Sequence, residues 1–318
     1  MLCHIQRRII QRFPHHLRRN FFQFGRGKRE LGQCEQIFAP GNLSPERVVP
    51  SHIDKPEYYN KHMEPGNTLG TPEIKTIEQQ NAMRLSGQLA ARILRECGEQ
   101  AKIGITTDEI DAFAHERIIA ANAYPSPLRY AGFPKSICTS INNVACHGIP
   151  DDRRLVDGDI INIDVTVYLN GYHGDCSKTY LVGNVDERGR FLVDSTRECL
   201  EKCIAICSPG VPFNKIGCLI EKFCQERQLE SVAAFIGHGI GNYFHGPPEI
   251  YHFHNDSPGE MKPGMTFTIE PILSLGDSNI ALLEDGWTAI SLDGARSAQF
   301  EHTILITETG CEVLTKES

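Results

Sequence analysis

The sequence predicts one α/β (α+β) domain with pseudo-two-fold symmetry, in which a curved antiparallel sheet is covered by helices. Three observations lead there. Segments with helical apolar spacing precede β-rich runs, the same order of elements occurs twice, and matching residues of the two passages stand 106 positions apart. The 318 residues would suffice for one large domain or two average ones. A chain that is 40% hydrophobic and 23% charged has enough apolar material for a sizeable core, which excludes disorder throughout. No run approaches the roughly 18 consecutive apolar residues of a membrane-spanning helix.

The elements are read from the N-terminus onward. Residues 1–30 are acid-free up to Arg29 and rich in arginine (Arg7, Arg8, Arg12, Arg18, Arg19, Arg26, Arg29), with Ile9, Ile10, Phe13, Leu17, Phe21 and Phe22 between them. That composition suits a mitochondrial transit peptide, and the interrupting arginines rule out a secretory apolar region. Residues 31–71 carry prolines from Pro40 onward and read as an extended lead-in lying along the body. Thr71-Pro72 is placed to open a helix running to about residue 98, with Ile74, Ile77, Leu85, Leu89 and Ile93 as its apolar stripe. Thr107-Asp108 opens a second helix with Ile110, Phe113, Ala114 and Ile118. Two β-rich runs around Asn170-Gly171 form a hairpin. Helices over about 188–207 and 213–228, followed by Gly-punctuated strands, repeat the order. Gly104 and Gly210, Ile110 and Ile216, Gly158 and Gly264, and Ile163 and Ile269 are each 106 apart, as are Asp164 and Glu270.

Charge and cysteine content exclude several functions. The net charge is −8, but residues 1–29 hold eight of the 32 basic residues and no acid. The body therefore has 24 basic against 40 acidic side chains, poorly suited to blanketing nucleic acid and better suited to binding cations. Twelve cysteines include no C-x-x-C pair, and Cys199, Cys203 and Cys207 recur every four residues as filler on one helix face, in a reducing compartment.

Four acids sit where apolar strand residues are expected. Asp164 lies in I-I-N-I-D-V-T-V, and an isolated ionised carboxylate cannot be buried there without a partner, a proton or a metal. A two-residue turn at Asn170-Gly171 pairs residue 164 with 177, which makes Asp175 its diagonal neighbour on the same face. Glu270 in T-F-T-I-E-P and Glu301 in A-Q-F-E-H-T present the same difficulty. Lysine and arginine are scarce nearby, Lys178 being closest, so divalent metal is the better counter-charge. His238, crowded by Gly237, Gly239 and Gly241, is placed as an imidazole ligand, with His245 and His147 as further candidates. Four carboxylates balance two divalent cations and a hydroxide between them, an arrangement suited to hydrolysis.

On these residues the sequence resembles the type 1 methionine aminopeptidases over about residues 72–315. The motifs G-F-P-K-S, C-H-G-I-P, N-I-D-V, G-H-G-I-G, F-H-G, T-I-E-P, D-G-W-T and Q-F-E-H-T carry the resemblance. It implies the pita-bread fold and removal of the initiator methionine from new chains whose second residue is small, by metal-activated water attack on the first peptide bond. It implies Asp164, Asp175, His238, Glu270 and Glu301 as ligands of two divalent ions (Co, Mn, Fe or Zn), with Glu270 also shuttling a proton. His245 would contact the substrate near the scissile carbonyl and His147 near the scissile amide. Tyr130, Phe133, Cys138, Phe244 and Trp287 would line the methionine pocket. The basic leader, in place of zinc-finger motifs, resembles the mitochondrial branch. That implies import machinery and nascent N-terminal peptides as partners, the matrix as location, and a monomer. Ala131 departs from the histidine many relatives carry there, and bears on no metal ligand. X-Pro aminopeptidases and prolidases share the fold and ligands but need a separate N-terminal domain, for which residues 30–71 leave no room. Growth-regulating, RNA-associated proteins on this fold have lost ligands that are all present here.

Overall fold

In the computed structural model, residues 11–12, 32, 34–60 and 70–316 are described. The basic leader expected over 1–30 lies outside them, apart from a two-residue strand, Gln11–Arg12, parallel to Ala281–Leu282. Among the described residues no helix is long and apolar enough to cross a membrane.

Helix α1 (Ile77–Gln100) starts later than the sequence suggests. Thr76, not Thr71, caps it: its hydroxyl accepts from the Gln79 amide, and Gln79 Oε1 accepts from the Thr76 amide. The expected stripe is also corrected. Leu89 and Ile93 are buried, but Ile77 and Leu85 are exposed, and so is Ile74 ahead of the cap. The inward face adds Met83, Ser86, Gly87, Ala90 and Cys97. Small residues are required because the C-terminal segment comes close: a Cβ at Gly87 would stand 2.6 Å from the Leu314 carbonyl oxygen. Helix α2 (Thr107–Ala120) has the same kind of cap from Thr106 and Glu109, and buries Ile110, Ala114 and Ile118.

Strands β1 (Cys138–Ile141) and β2 (Val144–Cys146) lead into the hairpin of β3 (Ile160–Leu169) and β4 (Tyr172–Leu181). The turn residues Asn170 (φ 52°) and Gly171 (φ 86°) are both left-handed, as a two-residue turn of this kind needs. It sets Asp164 opposite Ser177 and Asp175 opposite Thr166, the register expected from the sequence. Ile161, Ile163, Val165 and Val167 pack beneath α1 and α2, so the alternation of the strand turns Asn162, Asp164 and Thr166 to the other face.

The second half repeats this plan with α3 (Glu187–Ala205), α4 (Asn214–Arg227), β5 (Gly237–Gly239), β6 (Thr266–Ile269) and β7 (Ser297–Ile306). Backbone detail matches at the 106-residue offset. Isolated bridges join Thr106 to Arg154 and Pro212 to Glu260. Gly104 donates to Leu155 O at 2.8 Å and Gly210 to Met261 O at 2.9 Å, both glycines being left-handed. Antiparallel pairing of β4 with β7, with Ser177 opposite Glu301, joins the halves in one sheet of eleven strands among the described residues. Helices α3 and α4 cover the second half through a core that includes Cys199, Cys203, Ile216, Phe267, Ile269 and Ile304; these cysteines, with Cys207, are buried filler as expected.

The lead-in does more than lie along the surface. Ile37, Val49, Ile53 and Tyr58 are buried. Ile37 and the Asn143 side chain exchange two hydrogen bonds, at 2.7 and 2.9 Å. Arg47 pairs with the buried Asp111 at 2.9 Å. Asp111 in turn accepts from the amides of Ser136 and Ile137, fixing the loop between Phe133 and Cys138.

Candidate metal centre and substrate pocket

The face of the sheet away from the helices gathers the four acids and His238. Ligand atoms of Asp175, His238 and Glu301 lie within 4.8 Å of one another, and all three side chains are buried. His238 Nε2 is 3.7 Å from Asp175 Oδ2 and 3.6 Å from Glu270 Oε1. Asp164 adjoins Asp175 closely enough to share a proton with it. All five residues singled out in the sequence therefore meet, contributed by β3, β4, β5, β7 and the residue just past β6.

The geometry strongly disfavours four negative charges without a counter-ion. Burial, then the charge of Asp175, raises Asp164 and Glu301 well above the usual carboxylate range. Burial pushes Asp175 up to about 7 despite a bond from Thr166, and burial with the Asp175 charge pushes Glu270 up to about 8. Among the described residues no lysine or arginine pairs with any of the four; Lys178 is exposed and lies over the Tyr180 ring. Asp164 Oδ1 is buried without a hydrogen-bond partner. An orphaned carboxylate oxygen facing like charges is what a divalent cation satisfies, and three or more oxygens with one imidazole suit Mn, Fe, Co or Zn. The donor set fits metal.

Surrounding groups orient these donors. His238 Nδ1 lies 3.2 Å from Gly239 O, so the proton belongs there and Nε2 is left as a lone pair toward the acids. Burial lowers the His238 pKa to about 3, which keeps the ring neutral. Thr166 Oγ1 donates to Asp175 at 2.6 Å and Thr268 Oγ1 to Glu270 at 2.8 Å. Gln299 Nε2 reaches Glu270 Oε2 at 3.3 Å, and Glu270 N donates to His252 Nε2 at 3.3 Å. Sequence reasoning does not single out Thr268, Gln299 or His252. For Thr268 and Gln299 a signal exists, since each lies on the same strand face as one of the acids, two residues away.

Next to the acids stands an aromatic wall. His245 lies 4.1 Å from His238 and 4.1 Å from Phe244, ring centre to ring centre, and its Nδ1 is 2.6 Å from the Tyr130 hydroxyl. Trp287 packs against two clusters, one of Phe133, Cys138 and Ile149 and one that includes Tyr130 and Phe244. Its ring is edge-on to Phe133 at 5.2 Å and to His147 at 6.1 Å. Cys138 pairs with Asp164 across the sheet, which seats this wall beside the acids. Burial lowers His147 to about 4, and burial also holds His245 well below the usual imidazole range, so both rings are neutral. Ala131 is exposed beside this wall.

The profile of metallopeptidase family M24 matches residues 81–308, more than half of the chain and all five candidate ligands. The chain belongs to family M24, among its methionine aminopeptidases. It is 52% identical to the human protein named "Methionine aminopeptidase 1D, mitochondrial" over 91% of this chain and 86% of that one. Among solved structures, methionine aminopeptidase from Rickettsia prowazekii superposes with a TM-score of 0.76 at 41% identity, over 77% of this chain and 100% of that one. The prolidase of Pyrococcus furiosus, at 22% identity and a TM-score of 0.61 over 77% of this chain and 66% of that one, shares the fold. M24 membership places divalent metal in this methionine aminopeptidase. The lead-in, residues 34–60, precedes the matched span.

Proposed function

We propose that this chain removes the N-terminal methionine of newly made proteins with a small second residue, using two divalent ions held by Asp164, Asp175, His238, Glu270 and Glu301. The observation that carries the reading is the meeting of four carboxylates and one neutral imidazole with no basic partner among the described residues. When bound, such ions polarise a carbonyl and lower the pKa of water, the chemistry of peptide hydrolysis. Glu270, held by Thr268 and Gln299 and raised toward neutrality, takes a proton from the attacking water and passes it to the leaving amine. His245, fixed by Tyr130, sits at the substrate carbonyl; His147, against Trp287, sits at the scissile amide. Tyr130, Phe133, Cys138, Phe244 and Trp287 enclose the unbranched thioether, which favours aromatic and sulfur neighbours. The basic leader and the mitochondrial name of the human relative support import into the matrix, where nascent N-terminal peptides are the substrates. The protein acts as a monomer in this reading.

Metal analysis of purified protein alongside turnover of Met-Ala and Met-Leu peptides tests it. About two equivalents of metal with Met-Ala strongly preferred is the expected result. A preference for X-Pro peptides would overturn it in favour of the prolidase-type activity. For the address, residues 1–40 fused to a fluorescent reporter should label mitochondria; a diffuse cytosolic signal would defeat import.

A further inference from the structure

One lead-in side chain reaches the substrate wall although the lead-in lies outside the family span. The Tyr58 ring meets Tyr130 edge-on at 5.0 Å and lies within 20° of parallel to His173 at 6.3 Å, while its hydroxyl donates to Ser126 O at 2.6 Å. His173 is stacked on Phe244 at 5.2 Å and held by Ser126 Oγ at 2.9 Å. Tyr58 therefore touches Tyr130 directly and Phe244 through His173, the two rings that bracket His245.

The turn that carries Tyr130 needs such a clamp. Arg129 (φ 66°) and Ala131 (φ 45°), neither of them glycine, are left-handed, followed by Gly132 at φ 85°. Backbone of this kind persists only where surrounding contacts over-determine it. The lead-in supplies them from two sides: Glu46 accepts from Arg129 Nε at 2.8 Å, and Tyr58 packs behind Tyr130.

We propose that Tyr58 is a positioning residue for His245, and that the lead-in is a strap that completes the substrate pocket. This rests on the role given to His245 under Proposed function. A small displacement of a substrate-contacting group is enough to cost between about ten- and a hundredfold in rate.

The test uses full-length, metal-loaded protein and a Met-Ala peptide, with wild type, Tyr58→Phe, Tyr58→Leu, Glu46→Gln and His245→Ala, and the Tyr58→Leu/His245→Ala pair. We expect Tyr58→Leu to lose kcat at least about tenfold with metal content intact, and Tyr58→Phe, which keeps the ring, to recover most of it. Glu46→Gln, exposed and safe for folding, should lose kcat severalfold. In the His245→Ala background the Tyr58→Leu loss should largely disappear, since both act through one group. Full kcat per folded molecule in Tyr58→Leu and Glu46→Gln, or an undiminished loss in the His245→Ala background, overturns the positioning role while leaving the peptidase reading standing. Wild type inert toward Met-Ala, or His245→Ala as fast as wild type, overturns both.

Discussion

The two halves of the sheet share a backbone plan but divide the chemistry unequally. Asp164 and Glu270 are counterparts at an offset of 106, whereas Val182 and Ile306, which close the two hairpins with equivalent bonds, are 124 apart. By that second offset Asp175 corresponds to Gln299, and Ser177 to Glu301. Thr179 and Thr303 keep the symmetry: Thr303 Oγ1 bonds the Asp175 carbonyl and Thr179 Oγ1 the Gln299 carbonyl, each at 2.8 Å. The first hairpin is continuous through Asp164. The second breaks at Glu270-Pro271, between Ile269 and Ile272, because proline has no amide to donate to the ladder. Asp164 therefore lies within a continuous ladder, whereas Glu270 lies at a break, where Thr268 and Gln299 orient its carboxylate. The internal symmetry supplies two equivalent seats for an acid; in the proposed mechanism both hold metal, and the one at the break, Glu270, also moves the proton.

The largest test of that division replaces each seat. Glu270→Gln and Asp164→Asn should both keep the fold and both weaken metal binding, read by elemental analysis beside kinetics. In metal-saturated protein Glu270→Gln should still lose about 100- to 10,000-fold in kcat, while Asp164→Asn regains much of its turnover. Equal kcat loss in both at saturating metal, or unchanged activity in both, would erase the distinction. Next come the supporting hydroxyls. Thr166→Val and Thr268→Val each remove one bond to an acid, and each should weaken metal affinity about 10- to 100-fold, with Thr268→Val also lowering kcat in metal-saturated protein.

A smaller effect concerns pH. In the metal-free fold Asp175 and Glu270 titrate near 7 and 8, against 3.8 and 4.5 in the open chain. Folding raises both values, so their contribution to stability is complete below about pH 4 and is lost as the pH rises through 7 to 8. The melting temperature of chelated protein should fall over that window relative to a Glu270→Gln variant. Metal uptake near pH 7 should release protons, measured by calorimetry in two buffers of different ionisation heat. Smallest are the matched turns. Gly104 (φ 91°) and Gly210 (φ 82°) face open space, so alanine at either adds backbone strain alone. Each should cost about 1–2 kcal/mol by thermal melting, nearly equally, without changing kcat; unequal costs would argue against equivalence of the turns.

How much of the molecule is legible in its sequence depends on the distance over which each feature is specified. The Asp164–Ser177 register can be read because a two-residue turn leaves one pairing. The four acids and the imidazole can be named because charged groups in apolar strands need a shared reason to be there. The inward face of α1 cannot. Ile77 and Leu85 are apolar yet exposed, while Ser86 and Gly87 are buried, since the close approach of Leu314 decides that face. The start of α1 escapes the sequence too: Thr71-Pro72 reads as the opening, but the Lys75 amide is bound to Gly264 O at 2.8 Å, a contact from a remote segment that precedes the Thr76 cap.

Alone, the sequence determined the repeat, the hairpin, the buried acids and the character of the metal they attract, all set by local periodicity and by the cost of burying charge. The tertiary structure decided which atoms face which: that Asp175, His238 and Glu301 form the tightest group, that Gln299 supports Glu270, and that Tyr58 arrives behind Tyr130 from a distant upstream segment. Those contacts depend on where remote stretches of chain come to rest, and no local pattern of side chains encodes that.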